Sequence, residues 1–117
     1  MKTFVAFVVV GIAVSMGAVR AQSPDPKKVE AGKAAFETQK CGTCHAIAGK
    51  GGKLASPLDG VGKKLTEADL KKWLTAPAEM EAKLPKKPPM LMSTAMKSKK
   101  LTEADVDALV AYMLTLK

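Results

Sequence analysis

Apolar residues along most of the chain recur at the three- and four-residue spacing of helices. Asp25 followed by Pro26 is a typical helix start, with a capping side chain and a proline at the first helical position. Val29, Gly32 and Phe36 then follow at helical intervals up to about residue 40. No segment alternates apolar and polar residues convincingly, as a half-buried strand does. The pattern therefore predicts an all-α protein.

Two short sequences, at residues 65–70 and 101–106, carry the same helix start signal. Thr66 precedes Asp69 by three residues and Thr102 precedes Asp105 by three, which is a capping box with a shortened acid. The last helix is predicted over about residues 103–116. Its apolar face is formed by Val106, Leu109, Val110 and Met113. The flanking sequences differ, so we interpret these segments as two helices and not as an internal repeat.

Between the predicted helices lie two long segments, residues 46–64 and 76–100, that are rich in Gly, Pro and Lys. Loops of this length in a compact domain are usually either disordered or functional. A large ligand enclosed by both loops would order them.

The first 21 residues have the organisation of a secretory signal peptide. Lys2 gives a positive start, residues 4–14 are apolar, and Val19-Arg20-Ala21 supplies small residues for cleavage. We predict cleavage near Ala21, export to the bacterial periplasm, and one mature domain over residues 22–117. An uncleaved membrane anchor is the alternative, because the apolar stretch from residue 3 to residue 19 approaches the ~20 residues that a membrane span requires.

The predicted mature region is small and basic. Without Lys2 and Arg20 it retains 17 Lys and Arg against 11 Asp and Glu, a formal charge of +6. Aromatic residues are few, and a domain of this size often needs a staple because it buries a modest share of its surface. A large flat apolar cofactor would supply the missing core.

The candidate chemistry is concentrated at Cys41-Gly42-Thr43-Cys44-His45, which contains both cysteines and the single histidine of the chain. Cys-x-x-Cys-His is the signature of covalent haem attachment. Its spacing lets Cys41 and Cys44 each bond one of two neighbouring vinyl groups, while His45 supplies an axial nitrogen to the iron. The motif predicts one covalently bound haem c per chain.

Two other interpretations of the motif remain open from the sequence. A disulfide or thioredoxin-like redox pair would require a preceding strand in a βαβ unit, and no β-rich run is visible nearby. A zinc site would require about four ligands, so carboxylates would have to complete a set of two thiols and one imidazole. Exported thiols oxidise by default. Haem attachment therefore implies a reductive pathway in the exported compartment.

At this point the chain resembles the class I c-type cytochromes, over nearly the whole mature region. Gly32 and Phe36 look like the family's first helix, where the glycine lets the last helix pack closely, and Leu109 and Tyr112 look like their partners on that last helix. The segment from Trp73-Leu74 to Pro77 is similar to the family's aromatic-Leu-x-x-Pro sequence behind the haem. The resemblance implies three to five helices and long loops wrapped around one haem.

The resemblance also implies a role for Pro57, which lies twelve residues after His45. In the family a proline carbonyl at this place often accepts the second imidazole N–H and so fixes the ring. Gly60 follows Pro57 by three residues, one fewer than the commonest spacing in the family.

A methionine is the second axial ligand that the resemblance implies. Met92 is the predicted ligand, because it follows Pro88 by four residues and precedes the Thr102 cap by ten, close to the family spacing. Met90 is the runner-up, and Met96 is the third candidate because it lies only six residues before the cap. A thioether paired with an imidazole suits a soft site and raises the reduction potential.

The predicted function is outer-sphere electron transfer between periplasmic redox partners, with iron held by His45 and Met92. A six-coordinate iron leaves a substrate no place to bind, so we predict an electron carrier and not an enzyme. The alternative from another class is a ligand-binding or peroxidatic haem protein with an open sixth position. A haem-free thiol oxidoreductase is a further alternative.

Lysines crowd the two long loops. They either confer solubility or form a positive ring around the haem edge that attracts partners with acidic docking surfaces. The sequence predicts no nucleic-acid partner, because aromatic residues are few and no recognition motif is present. We expect a monomer without a membrane span after signal cleavage. The lysines are Lys50, Lys53, Lys63, Lys64, Lys86, Lys87, Lys97, Lys99 and Lys100.

Overall fold

The structure is a computed structural model that describes residues 24–117, so the predicted signal peptide and its cleavage site lie outside the described residues. The described part is helical. Its helices are α1 (Pro26–Thr38), α2 (Val61–Lys64), α3 (Glu67–Thr75), α4 (Pro77–Glu81), α5 (Met92–Met96) and α6 (Glu103–Leu114), with a 3₁₀ turn at Cys41–Thr43 after α1. Between residues 24 and 117 the only β-type pairing is an isolated bridge between Ile47 and Lys50. The predicted all-α class is confirmed.

Local capping explains where the three longer helices begin. The Asp25 side chain accepts a hydrogen bond from the Lys27 N–H at the start of α1, with Pro26 in the first turn. At α3 the predicted capping box is present, since Thr66 and Asp69 bond each other's backbone N–H groups. The predicted box of Thr102 and Asp105 opens α6 in the same way. Each box satisfies two N–H groups that would otherwise lack an intrahelical acceptor.

The first and last helices cross at very short range. Gly32 is buried in α1, and a Cβ atom at that position would collide with the Ala108 carbonyl oxygen and the Tyr112 Cβ of α6. One turn further along α1, the Phe36 ring meets the Tyr112 ring edge to face, with centroids 6.0 Å apart. The structure therefore confirms that Gly32 permits the close approach of α1 and α6.

The core lies between α6 and the helices around it. Its buried residues are Leu70, Val106, Leu109, Val110 and Met113, four of which come from α6. Leu70 joins α3 to this cluster, while Phe36 and Val61 pack against it from α1 and α2. The chain end is held to α2 by a hydrogen bond of 2.8 Å from the Gly62 N–H to the Leu116 carbonyl.

Two details differ from the sequence-based expectations. In residues 24–117 there are six α-helices and not three to five, because single-turn helices of four or five residues form at α2, α4 and α5 inside the long loops. Helices this short are too brief to show a helical period, and the surrounding loops are rich in Gly, Pro and Lys, so the sequence did not indicate them. Helix α6 ends at Leu114, two residues before the expected end.

None of the helices within residues 24–117 is both long enough and apolar enough to cross a membrane.

Candidate haem-binding site

The Cys-x-x-Cys-His motif lies directly after α1, on a tight turn. Lys40 has left-handed backbone angles, with φ of 55°, and this reverses the chain at the end of α1. The 3₁₀ turn at Cys41–Thr43 then brings the His45 N–H within 3.0 Å of the Cys41 carbonyl oxygen. This one turn therefore holds both thiols and the imidazole within five residues. Cys41 and Cys44 are both half-buried and free of a disulfide.

The imidazole of His45 is oriented by a backbone carbonyl. His45 Nδ1 lies 2.8 Å from the Ser56 carbonyl oxygen. A carbonyl can only accept, so Nδ1 carries the hydrogen, and in the neutral ring Nε2 retains the lone pair that a metal requires. This is the hydrogen bond that commonly fixes the orientation of a ligating histidine.

The acceptor corrects the sequence-based prediction, which assigned the Pro57 carbonyl. The structure places the Ser56 carbonyl there instead, one residue earlier in the chain. Pro57 still bears on this bond, because a proline restricts the backbone of the residue before it to extended conformations. The Ser56 carbonyl belongs to the peptide bond that joins Ser56 to Pro57, so the proline ring limits where this oxygen can point.

The loop after His45 folds back over the motif through backbone hydrogen bonds. The Gly52 N–H donates to the Gly42 carbonyl at 2.8 Å, and the Ala55 N–H donates to the Cys44 carbonyl at 3.0 Å. The contact at Gly52 is tight, because a Cβ atom there would collide with the Thr43 carbonyl oxygen. Residues 46–58 thus form a clasp over the haem-attachment motif, which we call the motif clasp.

The tip of the motif clasp is a two-residue turn. Ala48 and Gly49 both have positive φ, 51° and 77°, between Ile47 and Lys50, whose backbones pair. Positive φ at both central residues is the geometry that suits a tight hairpin turn. The Asp59 carboxylate accepts from the Ala48 N–H at 2.8 Å, which ties the tip to the base of the loop.

A cleft lies where α4 and α5 meet the start of α6. Its volume is about 680 Å³, within the roughly 300–1,000 Å³ common for ligand sites. We call it the α4–α5 cleft. Its wall includes Leu74, Pro77, Ser93, Met96, Lys99 and Val106. The positive charge of Lys99, on this wall, partly opposes the rise that burial causes in the pKa of the Cys41 thiol.

The three candidate methionines occupy different environments. Met92 is half-buried at the first position of α5. Met96, one helical turn later, lines the α4–α5 cleft. Met90 precedes α5 and is 46% exposed. Helix α5 therefore begins with Met92 and places Met96 on the cleft wall, while Met90 lies on the loop that leads to α5.

Helix α5 is hydrogen-bonded to a buried carboxylate that the sequence did not indicate. Glu81, at the end of α4, is only 6% exposed. It accepts from the Ser93 N–H at 2.8 Å and from the Ser93 hydroxyl at 2.7 Å. These two hydrogen bonds lower the pKa of the Glu81 carboxyl, because they stabilise the charged form more than burial destabilises it.

The surroundings of Cys41 argue against a redox-active thiol pair. Burial raises the pKa of the Cys41 thiol, and the opposing effect of the nearby Lys99 ammonium is smaller. Reactive redox cysteines have lowered pKa values in electropositive, accessible surroundings. The strand that a thioredoxin-like unit requires is also missing from residues 24–117.

Zinc receives no support either. Across the described residues, no three His, Cys, Asp or Glu side chains are grouped as a metal site requires.

These features together fit a covalently attached haem. Two free thiols stand three positions apart in the sequence, as the haem motif requires, and the hydrogen bond at Nδ1 of His45 leaves Nε2 available to an iron. The α4–α5 cleft offers apolar walls from Leu74, Met96 and Val106. The residues present thus match the chemistry that the motif predicts.

Two parts of this site were not found from the sequence. The Ser56 acceptor was missed by one residue, and the proline next to it was the signal that pointed to the right peptide. The link between Glu81 and Ser93 joins residues twelve positions apart, and no periodicity or motif marks it.

Comparison with known proteins agrees with this geometry. The sequence model of the family described as Cytochrome c matches residues 29–117, which include the whole motif, the cleft and α6. Searches of curated proteins and of solved structures gave no significant match. Proteins of the matched family carry covalently attached haem c and transfer electrons, and they are not enzymes by themselves. The match covers most of the chain, and the chain belongs to the cytochrome c family as a haem c electron carrier.

Proposed function

We propose that this protein carries single electrons between exported redox proteins through an iron held by His45 and Met92. The observation that carries the proposal is the oriented imidazole next to two free thiols, together with a methionine-bearing helix beside a cleft. Haem, when bound, supplies the one-electron ferrous/ferric couple. The residues of the chain orient the ligands of the iron and recognise the redox partners.

On the histidine side the chain provides a fixed ligand. The hydrogen bond from Nδ1 to the Ser56 carbonyl holds the ring and raises the basicity of Nε2. The motif clasp adds backbone hydrogen bonds to Gly42 and Cys44, so the turn that bears the thiols cannot easily open. A ligand held in this way keeps the same geometry in both oxidation states, which favours electron transfer with little rearrangement.

On the other side we propose Met92 as the sixth ligand, with Met90 and then Met96 as alternatives. Its half-buried position at the start of α5 supports this choice over Met90, which is largely exposed. Met96 gains support from its place in the cleft wall. Alanine variants of all three methionines therefore need to be compared in the same measurement of carbon monoxide binding.

We further propose that partners are recognised by charge. Lys97 and Lys99 line the α4–α5 cleft, and exposed lysines follow along the segment between α4 and α5. A positive surface near the site of electron transfer attracts acidic partners and raises the association rate at low salt. We propose the periplasm as the location, from the signal-like residues 1–21, and a monomer as the working form.

The rival function is a ligand-binding or peroxidatic haem protein with an open sixth position. Carbon monoxide separates the two, because it binds ferrous haem only where a position is free or its ligand leaves readily. We expect the reduced wild-type protein to show no spectral change with carbon monoxide, and a redox titration to follow a single one-electron step. Ready carbon monoxide binding by the wild-type protein would overturn the proposal in favour of the rival.

A further inference from the structure

The segment between α4 and α5 is poorly held by its own backbone. Within the described chain, residues 85–90 make no backbone hydrogen bond. Three of the six are prolines, Pro85, Pro88 and Pro89, which lack an N–H donor. The segment is stiff but unanchored, so it cannot by itself set the position of the methionines that follow.

The anchor comes from a side chain on α4. Both Glu81 carboxylate oxygens are used on Ser93, at 2.8 Å from its N–H and 2.7 Å from its hydroxyl oxygen. Ser93 follows Met92 directly and lines the α4–α5 cleft. The contact therefore acts at the residue next to the proposed ligand, and it fixes the first turn of α5 against α4.

Linking α4 to α5 through a buried carboxylate carries a free-energy cost. Glu81 is 6% exposed, and within residues 24–117 it forms no ion pair with a lysine. Removing a charge from water costs free energy unless hydrogen bonds compensate for it. A fully satisfied buried polar contact in turn specifies one arrangement of the groups that it joins. The contact is thus suited to setting geometry.

We propose that Glu81 is a positioning residue for the sixth ligand: through Ser93 it holds α5 so that Met92 stays on the iron. This inference rests on the proposed function. Without the link, α5 is expected to shift more freely relative to α4, and the methionine to leave the iron more often. Added imidazole, which competes with the methionine for the ferric iron, reports that release directly.

The test compares Glu81→Gln, Ser93→Ala and the double variant as purified ferric haem proteins. Glutamine keeps an acceptor oxygen for the Ser93 N–H, and its NH2 group can donate to the Ser93 hydroxyl oxygen, so this variant replaces a charged contact by a neutral one. Ser93→Ala removes the hydroxyl and with it one of the two hydrogen bonds. We expect Ser93→Ala to bind imidazole about tenfold more tightly than wild type, as for the loss of one hydrogen bond to a charged group. For Glu81→Gln we expect an increase in imidazole affinity of about threefold, because neutral hydrogen bonds are roughly half as strong as charged ones. The double variant is expected to bind imidazole little more tightly than Ser93→Ala alone, because both changes act on the same contact.

Glu67→Gln is the matched control, since it removes an equal charge from an exposed glutamate in the first turn of α3. We expect its imidazole affinity to stay within about twofold of wild type. A purely structural role for Glu81 predicts lower resistance to urea with unchanged imidazole affinity, and that result would overturn the inference. Ser93→Ala deletes a single oxygen, so it keeps the test decisive even if Glu81→Gln does not fold.

Failure of the proposed ligand is distinguishable from failure of the positioning role. The weak far-red absorption band of ferric haem reports bound sulfur. A wild-type protein without that band overturns both the methionine assignment and this inference. A wild-type protein with the band, and with imidazole affinity unaltered in both single variants, overturns the positioning role alone.

Discussion

Residues 41–58, which carry the cysteines and the histidine, and residues 76–100, which carry the candidate methionines, are held in place by different kinds of contact. The first region is tied by hydrogen bonds between backbone groups of a single loop, such as Gly52 to Gly42 and Ala55 to Cys44. In the second region, backbone hydrogen bonds lie within the short helices and turns, and a side-chain contact from Glu81 to Ser93 links α4 to α5. The histidine side is therefore determined locally, and the methionine side depends on two helices meeting.

This difference has a consequence for ligation. Backbone hydrogen bonds persist when most side chains are replaced, so residues 41–58 should tolerate most substitutions outside the motif. The exceptions are glycines such as Gly52, where a Cβ atom would collide with the backbone. A single buried side-chain contact is lost with either partner. When the protein is mutated or exposed to denaturant, we therefore expect the methionine to leave the iron before the histidine does.

The largest expected effect is the loss of covalently attached haem when both cysteines of the motif are replaced. The double variant Cys41→Ser, Cys44→Ser leaves no sulfur to bond a vinyl group, so we expect complete loss of covalently attached haem. Haem staining of the denatured protein on a gel measures this. Thr43→Ser, at the exposed position between the cysteines, is the control and should stain like wild type. A stained band in the double variant would show that attachment uses another residue.

The next largest effect should be carbon monoxide binding after the proposed methionine ligand is removed. Met92→Ala is expected to leave haem attached but to open the reduced protein to carbon monoxide, because only the sixth ligand is removed. Visible spectra with and without carbon monoxide measure the change. Met90→Ala and Met96→Ala are the matched variants, and the reduced form of each should bind no carbon monoxide. If one of these opens the iron and Met92→Ala does not, the ligand is that residue and our assignment is wrong.

A smaller effect tests how tightly the motif clasp fits. Gly52→Ala places a Cβ atom against the Thr43 carbonyl, and we expect a loss of about 3 kcal/mol in the free energy of unfolding. Gly49→Ala meets open space and is strained only by its positive φ, so about 1 kcal/mol is expected. Urea unfolding of the two variants compares them. Equal losses would mean that the clasp is looser than the structure describes.

The smallest effect concerns the peptide that holds the imidazole. Pro57→Ala leaves the Ser56 carbonyl in place but frees the backbone before it and enlarges the unfolded ensemble. We expect a loss of about 0.5 kcal/mol in the free energy of unfolding, with the visible spectrum unchanged. A changed spectrum would mean that the proline itself, and not the neighbouring carbonyl, controls the histidine.

The same contrast explains how much of the molecule could be predicted from its sequence. Capping residues such as Thr66 and Thr102, and the Cys41-to-His45 motif, act over a few positions, so reading the chain locates them. The crossing at Gly32 was predicted from family resemblance and is confirmed. On the histidine side the only error was one residue, Ser56 in place of Pro57.

The methionine side was far less predictable. Helices α4 and α5 are each a single short turn, and no hydrophobic period marks them. The Glu81–Ser93 contact joins residues twelve positions apart, and a glutamate in a lysine-rich loop is ordinarily a solvated charge. Its burial follows from the packing of α4 on α5, which only the folded chain displays.

The most direct test of the central claim is the visible absorption spectrum of the protein purified from the exported fraction, recorded oxidised and then reduced. His45 and Met92 ligation predicts a sharp reduced c-type spectrum and, in the oxidised protein, the far-red band of sulfur bound to ferric haem. A c-type spectrum without the far-red band would contradict the methionine ligand. A colourless protein would contradict the haem-bearing electron carrier altogether.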